Sequence, residues 1–144
     1  MTTRQNIIEA SRAYLDVPWR HQGRTRHGID CAGVVLLVGK EFGLLPPDLD
    51  VVGYSRRPNN FTFLTPFREN MDERPIGQAR AGDVLIFADG PYPCHTGIQT
   101  EKYGVVHFLH AYAGLRKVIE QPLDDVWRGK LTHCFAYRGV EEGE

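Results

Sequence analysis

Three positions in this chain carry side chains suited to nucleophilic chemistry: Cys31, His95 and His110. Cys31 follows the polar stretch Arg24-Thr25-Arg26-His27-Gly28-Ile29 and the acid Asp30. It opens the apolar run Ala32-Gly33-Val34-Val35-Leu36-Leu37-Val38. An aspartate at that point can cap the free N–H groups of a helix, which puts Cys31 in the first turn. The positive end of a helix favours a thiolate, the reactive form of cysteine. Imidazole titrates near neutral pH, so a histidine can take the thiol proton and later give it to a leaving amine. A second polar group is needed to orient that imidazole. The bland alternatives are a buried structural thiol at Cys31 and a hydrogen-bonded strand histidine at His95.

Elements must hold these groups together. The stripe Ile7, Ile8, Ala10, Ser11, Tyr14, Leu15 predicts a first helix over Arg4 to Leu15, ended by Pro18. Cys31 to Phe42 reads as a second, more buried helix that stops at Gly43. Asp48 to Ala79 is the least regular part, with Phe61 to Met71 a limited helix around Pro66. From Gly82 the pattern changes to strands: Val84 to Ala88, Thr96 to Thr100, Gly104 to Leu109, Arg116 to Glu120 and His133 to Tyr137. Asp124-Asp125-Val126-Trp127 reads as a short helix between the last two. Helices first and about five antiparallel strands second predict an α+β fold, with residues 1–144 forming one domain.

In that order His95 falls early in the second strand. The small neighbours Thr96 and Gly97 suit close approach by another backbone or a substrate. Strand alternation separates His110, with Val106 and Phe108, from His107, with Val105 and Leu109. Both faces are apolar, so alternation does not choose between the two histidines. A zinc centre is the competing chemistry, from Cys94-His95, His107, His110 and His133-Cys134. No Cys-x-x-Cys pair is present, and no metal or cofactor is expected.

Composition is that of an ordinary globular chain: 42% hydrophobic, 24% charged and a net charge of −1. That balance gives no support for nucleic-acid or anionic-membrane binding. Three scattered cysteines do not form a disulfide framework and predict a reducing compartment of synthesis. No signal-like apolar core follows Met1, and no run approaches the roughly 20 apolar residues of a membrane span.

Several blocks, taken in order, resemble the NlpC-type papain-like cysteine peptidases of bacterial cell walls. They are Pro18-Trp19-Arg20-His21-Gln22-Gly23, Gly28-Ile29-Asp30-Cys31-Ala32-Gly33-Val34-Val35, Ala81-Gly82-Asp83-Val84-Leu85-Ile86-Phe87, His95-Thr96-Gly97-Ile98 and Leu109-His110-Ala111. The resemblance implies Cys31 as nucleophile, His95 as base and His110 as the orienting residue, the Leu-His-Ala match choosing His110 over His107. It implies a papain-like fold and peptidoglycan stem peptides as substrate. The backbone N–H of Cys31 is the first oxyanion donor. Trp19 stands where the family commonly has tyrosine and is an oxyanion candidate. Gln22 is another, by its chemistry alone. Asp30 and Ala32 are candidate substrate contacts, Ala32 standing where many members have a serine that shapes the stem-peptide site.

The stretch from His110-Ala111-Tyr112-Ala113-Gly114 through Val118-Ile119-Glu120-Gln121-Pro122-Leu123 looks most like the branch found in phage tail-assembly proteins. That implies synthesis in the bacterial cytoplasm, a place in the virion tail, and tail hub or tip proteins as partners. Tyr54, Arg56, Arg57, Phe61, Phe63 and Phe67 are the expected contact, with covering of the domain's own core as the alternative. Two other functions compete: a structural tail-tip protein with little activity, and a cytosolic amidase or acyltransferase on the same fold.

Overall fold

A computed structural model describes residues 1–51 and 62–141. The expected contacts Tyr54, Arg56, Arg57 and Phe61 lie outside the described residues. Helix α1 spans Arg4–Arg12 and begins with a reciprocal cap: Asn6 N–H donates to Thr3 Oγ1 at 3.0 Å, and Thr3 N–H donates to Asn6 Oδ1 at 2.9 Å. It is shorter than its apolar stripe predicts. After Arg12 the chain turns, Asp16 adopts a positive φ of 69°, and the backbone at Asp16 and Val17 bonds to Val118 instead.

A two-residue ribbon, β1 (Arg24–Thr25) with β2 (Gly28–Ile29), leads into α2, Cys31–Glu41. Val34, Val35, Leu36 and Val38 of α2 are all buried, so this helix is enclosed on most sides. Gly33 is required for its entry: a Cβ there would lie 2.6 Å from Gly23 O. Helix α3, Thr65–Asn70, tolerates Pro66 in its first turn, where the missing N–H has no helical partner anyway. Phe63 and Phe67 are buried in the core beside it, at 3% and 2% exposure. The core-covering alternative therefore holds for these two, and neither is a partner-contact residue.

The remaining elements are β3 (Asp72–Arg74), β4 (Val84–Asp89), β5 (Tyr92–Lys102), β6 (Val105–Tyr112), β7 (Lys117–Pro122), α4 (Asp125–Arg128) and β8 (Leu131–Ala136). They form one antiparallel sheet of six strands in the order β3-β8-β4-β5-β6-β7. The α+β expectation holds. The sixth strand is β3, whose Asp-Glu-Arg sequence carries no apolar alternation and which pairs at the sheet edge with β8.

The sheet buries both faces. Val84, Ile86, Ile98, Leu109, Ala111 and Val118 pack with α1 and α2 in one cluster that includes Cys31. The alternate residues Leu85, Phe87, Phe108 and Cys134 form a second cluster with Leu123, capped by Trp127 of α4. Burying this much apolar surface on each side supplies the main stabilising term. Asp83, fully buried, ties α1 to the sheet: Arg4 meets it at 2.7 Å, Arg80 N–H donates to it at 2.8 Å, and the Cys134 thiol donates at 3.7 Å.

Candidate active site

Asp30 caps α2 as its position predicts. Its Oδ1 accepts from Gly33 N–H at 3.0 Å and from Arg24 Nη1 at 2.7 Å, and its Oδ2 accepts from Gln22 N–H at 2.8 Å. Arg24 is held in turn by Asp50 at 2.8 Å and the Val51 carbonyl at 3.0 Å. Asp30 is 2% exposed, its carboxylate bonded to Gly33, Arg24 and Gln22. It pins the turn ahead of Cys31, a buried position for the substrate contact expected of it. Ala32, the other expected substrate contact, is fully buried in the helix-facing core. Both are buried because the first turn of α2 faces inward.

Cys31 itself is 7% exposed. Its thiol faces the backbone N–H of Thr96, the residue after His95. Burial above all, and then the Asp30 charge, push the thiol up to about 12, while the N–H groups of Thr96 and Ala32 pull weakly the other way. The depressed value expected at a helix N-terminus is therefore overturned. Desolvation of a thiolate outweighs the helix-end field at this depth.

His95 stands on β5 opposite Phe87 of β4. The register shifts there: Phe87 pairs with His95 and Ala88 with Pro93, leaving Cys94 as the extra residue of a bulge. Bulges re-aim side chains and are frequent beside active sites. His95 Nε2 lies 2.6 Å from Nδ1 of His110, and the rings meet edge to face at 4.9 Å between centroids. Gly97 makes this possible, because a Cβ there would sit 3.0 Å from His110 Cβ and 2.8 Å from Leu109 O. The close approach expected at Thr96-Gly97 is thus made by the neighbouring strand.

His110, fully buried on β6, reaches Gln121 Oε1 on β7 through its Nε2 at 2.9 Å. Burial pushes His110 down to about 4, against the opposing effect of the Gln121 bond. Burial, His110 and the Lys130 ammonium push His95 well below the ordinary histidine range. Both imidazoles are therefore neutral at neutral pH. His107 is not part of this line. It is partly exposed, with Nδ1 2.9 Å from the Val105 carbonyl of its own strand, so it is also not the core residue its strand position suggests.

The structure sets Cys31 against β5 and joins His95 to His110. Among the described residues no hydrogen bond links the thiol directly to an imidazole. Cys31 packs with the helix-facing cluster, whereas His95 and His110 pack with Phe87, Phe108 and Trp127. Trp19 and Gln22 lie on the loop that precedes α2. Trp19 is partly buried against the core and bridges to Ile29, and Gln22 is exposed with a φ of 56°.

Gln121 is a site residue that sequence reasoning missed. No sequence signal marks it: only the β6–β7 register, which pairs His110 with Ile119, puts Gln121 diagonal to His110 on the same face.

Beside His95 lies a groove of about 250 Å³ lined by Phe87, Asp89, Cys94, Tyr112, Trp127 and Lys130. Lys130 Nζ stands 5.0 Å over the Trp127 ring. Of the zinc candidates, Cys134 bonds to Asp83, and His133 to Thr132 and Arg68, away from His95. Among the described residues no group of three or more His, Cys, Asp or Glu is placed to hold a metal. No described helix is long and apolar enough to cross a membrane.

A cysteine at the start of a buried helix, laid on an antiparallel sheet that carries a histidine pair, defines a papain-like α+β class. The chain belongs to the NlpC/P60 family, whose model matches residues 16–135. Among solved structures it is similar to the NlpC/p60 domain of the peptidoglycan hydrolase SagA, with 18% identity over 94% of this chain and 99% of that one and a TM-score of 0.66. It is also similar to an NlpC/P60 family protein from Bacillus cereus ATCC 10987, with 18% identity over 94% of this chain, a TM-score of 0.70, and only 40% of that longer chain spanned. An N-acetylmuramoyl-L-alanine amidase from Bacteroides uniformis ATCC 8492 matches at 13% identity over 92% of this chain and 96% of that one, with a TM-score of 0.62. No curated protein matches in sequence. At these identities the structural likenesses establish the fold.

Proposed function

We propose that this chain is a cysteine peptidase that hydrolyses amide bonds of peptidoglycan stem peptides. The observation that supports the reading most is Cys31 at the capped start of α2, its thiol facing the backbone N–H of Thr96, the residue that follows a His95 hydrogen-bonded to His110. Membership of the NlpC/P60 family, with a peptidoglycan hydrolase and a muramoyl-alanine amidase among its structural likenesses, supports the substrate class.

In the proposed reaction the Cys31 sulfur attacks the scissile carbonyl carbon while His95 takes the thiol proton. The resting thiol and imidazole are both neutral, so this transfer accompanies attack rather than preceding it. The Cys31 N–H, unpaired within the helix at its first turn, donates to the developing oxyanion. Collapse breaks the C–N bond, and His95 returns the proton to the amine, leaving a thioester. Water, deprotonated by His95, then attacks the thioester carbonyl, and the acid departs as the thiol re-forms. The leaving amine must lie beside His95, which the groove against Trp127 and Tyr112 accommodates. Closure of imidazole on thiol belongs to the substrate complex, since such bonds often tighten only there.

The finer reading places the protein in a phage tail, made in the cytoplasm and carried to the wall by hub or tip partners. Mass spectrometry of purified particles tests that placement. A second reading, a structural tail protein with little activity, is favoured by the thiol at about 12, with no direct thiol–imidazole bond among the described residues. One experiment separates the two readings. Muropeptides from purified peptidoglycan are analysed by mass spectrometry after digestion with native protein and with Cys31→Ala. Stem-peptide cleavage by the native form alone supports the peptidase. No cleavage by folded native protein favours the structural reading.

A further inference from the structure

The line His95, His110, Gln121 has a direction. A glutamine carbonyl oxygen only accepts, so the 2.9 Å contact from His110 Nε2 to Gln121 Oε1 requires the His110 proton on Nε2. A neutral imidazole carries one N–H, which leaves His110 Nδ1 as an acceptor. The 2.6 Å contact then requires His95 to donate from its Nε2. His95 Nδ1 is left with the lone pair, the only form in which that nitrogen can accept a proton.

We propose that Gln121 is a positioning residue that fixes the tautomers of His110 and, through it, of His95, so that His95 Nδ1 is the basic nitrogen. The proposal rests on the peptidase reading for its catalytic consequence but not for the tautomers themselves. Gln121 suits the task because it is neutral. A carboxylate there would favour a charged His110, which could donate from Nδ1 to His95 Nε2 and reverse the line. A buried histidine with no acceptor on Nε2 would instead divide between its two tautomers. Register keeps Gln121 in place: Phe108 pairs with Gln121 and His110 with Ile119, so the amide reaches diagonally across β6 and β7.

Long-range ¹H–¹⁵N spectra of histidine-labelled protein report which ring nitrogen is protonated, with or without substrate. In native protein at neutral pH both His95 and His110 are expected as the Nε2–H tautomer. Gln121→Met, which keeps the length and removes the acceptor, is expected to mix the His110 tautomers. It should lower kcat for stem-peptide cleavage by about ten- to a hundredfold, with KM little changed. Gln121→Glu keeps an acceptor on His110 Nε2 and should raise the pH at which His110 titrates, moving the acidic limb of the rate profile upward. That shift shows position 121 to be in contact with His110; the Gln121→Met tautomers decide between a positioning and a purely structural role. A His110 protonated at Nδ1 in native protein, or unchanged tautomers in folded Gln121→Met, overturns the proposal. Native protein that shows the expected tautomers but cleaves nothing leaves Gln121's positioning intact and removes the peptidase reading instead.

Discussion

The two sides of β5 are built by different means. On the helix side, Cys31 is placed by backbone: a capped first turn, an aspartate with its three bonds made to protein, and a thiol held against Thr96 N–H. On the other side, His95 and His110 are placed by side chains, stacked among Phe87, Phe108, Tyr112 and Trp127 and aligned by Gln121. The first arrangement is rigid because each donor has an obligatory acceptor. The second depends on ring packing and on which nitrogen carries a proton. Position is thus secured on one side and protonation on the other, and disturbing each should have a different signature.

The largest effect is expected on the histidine side. His95→Ala should reduce stem-peptide cleavage by about 10³-fold or more, with the persistence of the fold checked by melting temperature. His107→Ala should leave both rate and melting temperature almost unchanged. Steady-state kinetics with thermal melts checks the pair, and the reverse result would show that the wrong histidine faces the thiol.

On the cysteine side the signature is stability. Asp30→Ala removes a cap, a salt bridge that is 3% exposed at its carboxylate, and the acceptor for Gln22 N–H. A loss of about 2–4 kcal/mol in unfolding free energy is expected, measured by urea denaturation. A loss under about 1 kcal/mol would mean that the turn before α2 holds without its pin.

Acid should weaken the histidine side in particular. His110 is held near 4 in the folded protein against about 6.5 when unfolded, so the unfolded chain binds the extra proton between those values. The stability from a neutral His110 is full above about 6.5 and is lost as pH falls toward about 4. His95, shifted the same way, extends the loss to lower pH. Melting temperature should therefore drop between pH 6.5 and 4, and His110→Leu should flatten that slope. Equal slopes in the two proteins would assign the acid sensitivity elsewhere.

The smallest effect concerns labelling order. Cys94 is half-exposed at the groove, whereas Cys31 and Cys134 are buried and both pushed up to about 12. Iodoacetamide at neutral pH should modify Cys94 before the other two, followed by peptide mapping over time. Faster labelling of Cys31 would mean that its thiol is more open and more acidic than this structure has it.

Much of the layout was legible in the chain alone. Asp30 ahead of an apolar run signals a capped helix because its side chain satisfies backbone N–H groups within three residues, a purely local matter. Alternation from Gly82 onward signals strands for the same local reason. The ordered blocks around Cys31, His95 and His110 pointed to a family whose model does match. The charged edge strand Asp72–Arg74 could not be read this way, since its pairing with β8 is its only strand signal.

What tertiary structure alone decided is burial and partnership. Whether Asp30 and Ala32 are open or enclosed depends on which way the first turn of α2 faces, and it faces the core. Whether a helix-end thiol is acidic depends on a balance between the helix field and desolvation, and the depth of Cys31 settles it toward the thiol. Gln121 enters the site only through the register of β6 on β7, eleven residues along the chain from His110. A sequence specifies side-chain types and local spacing. Depth, register and the partner across a strand are properties of the packed sheet, fixed only when distant segments exclude water together.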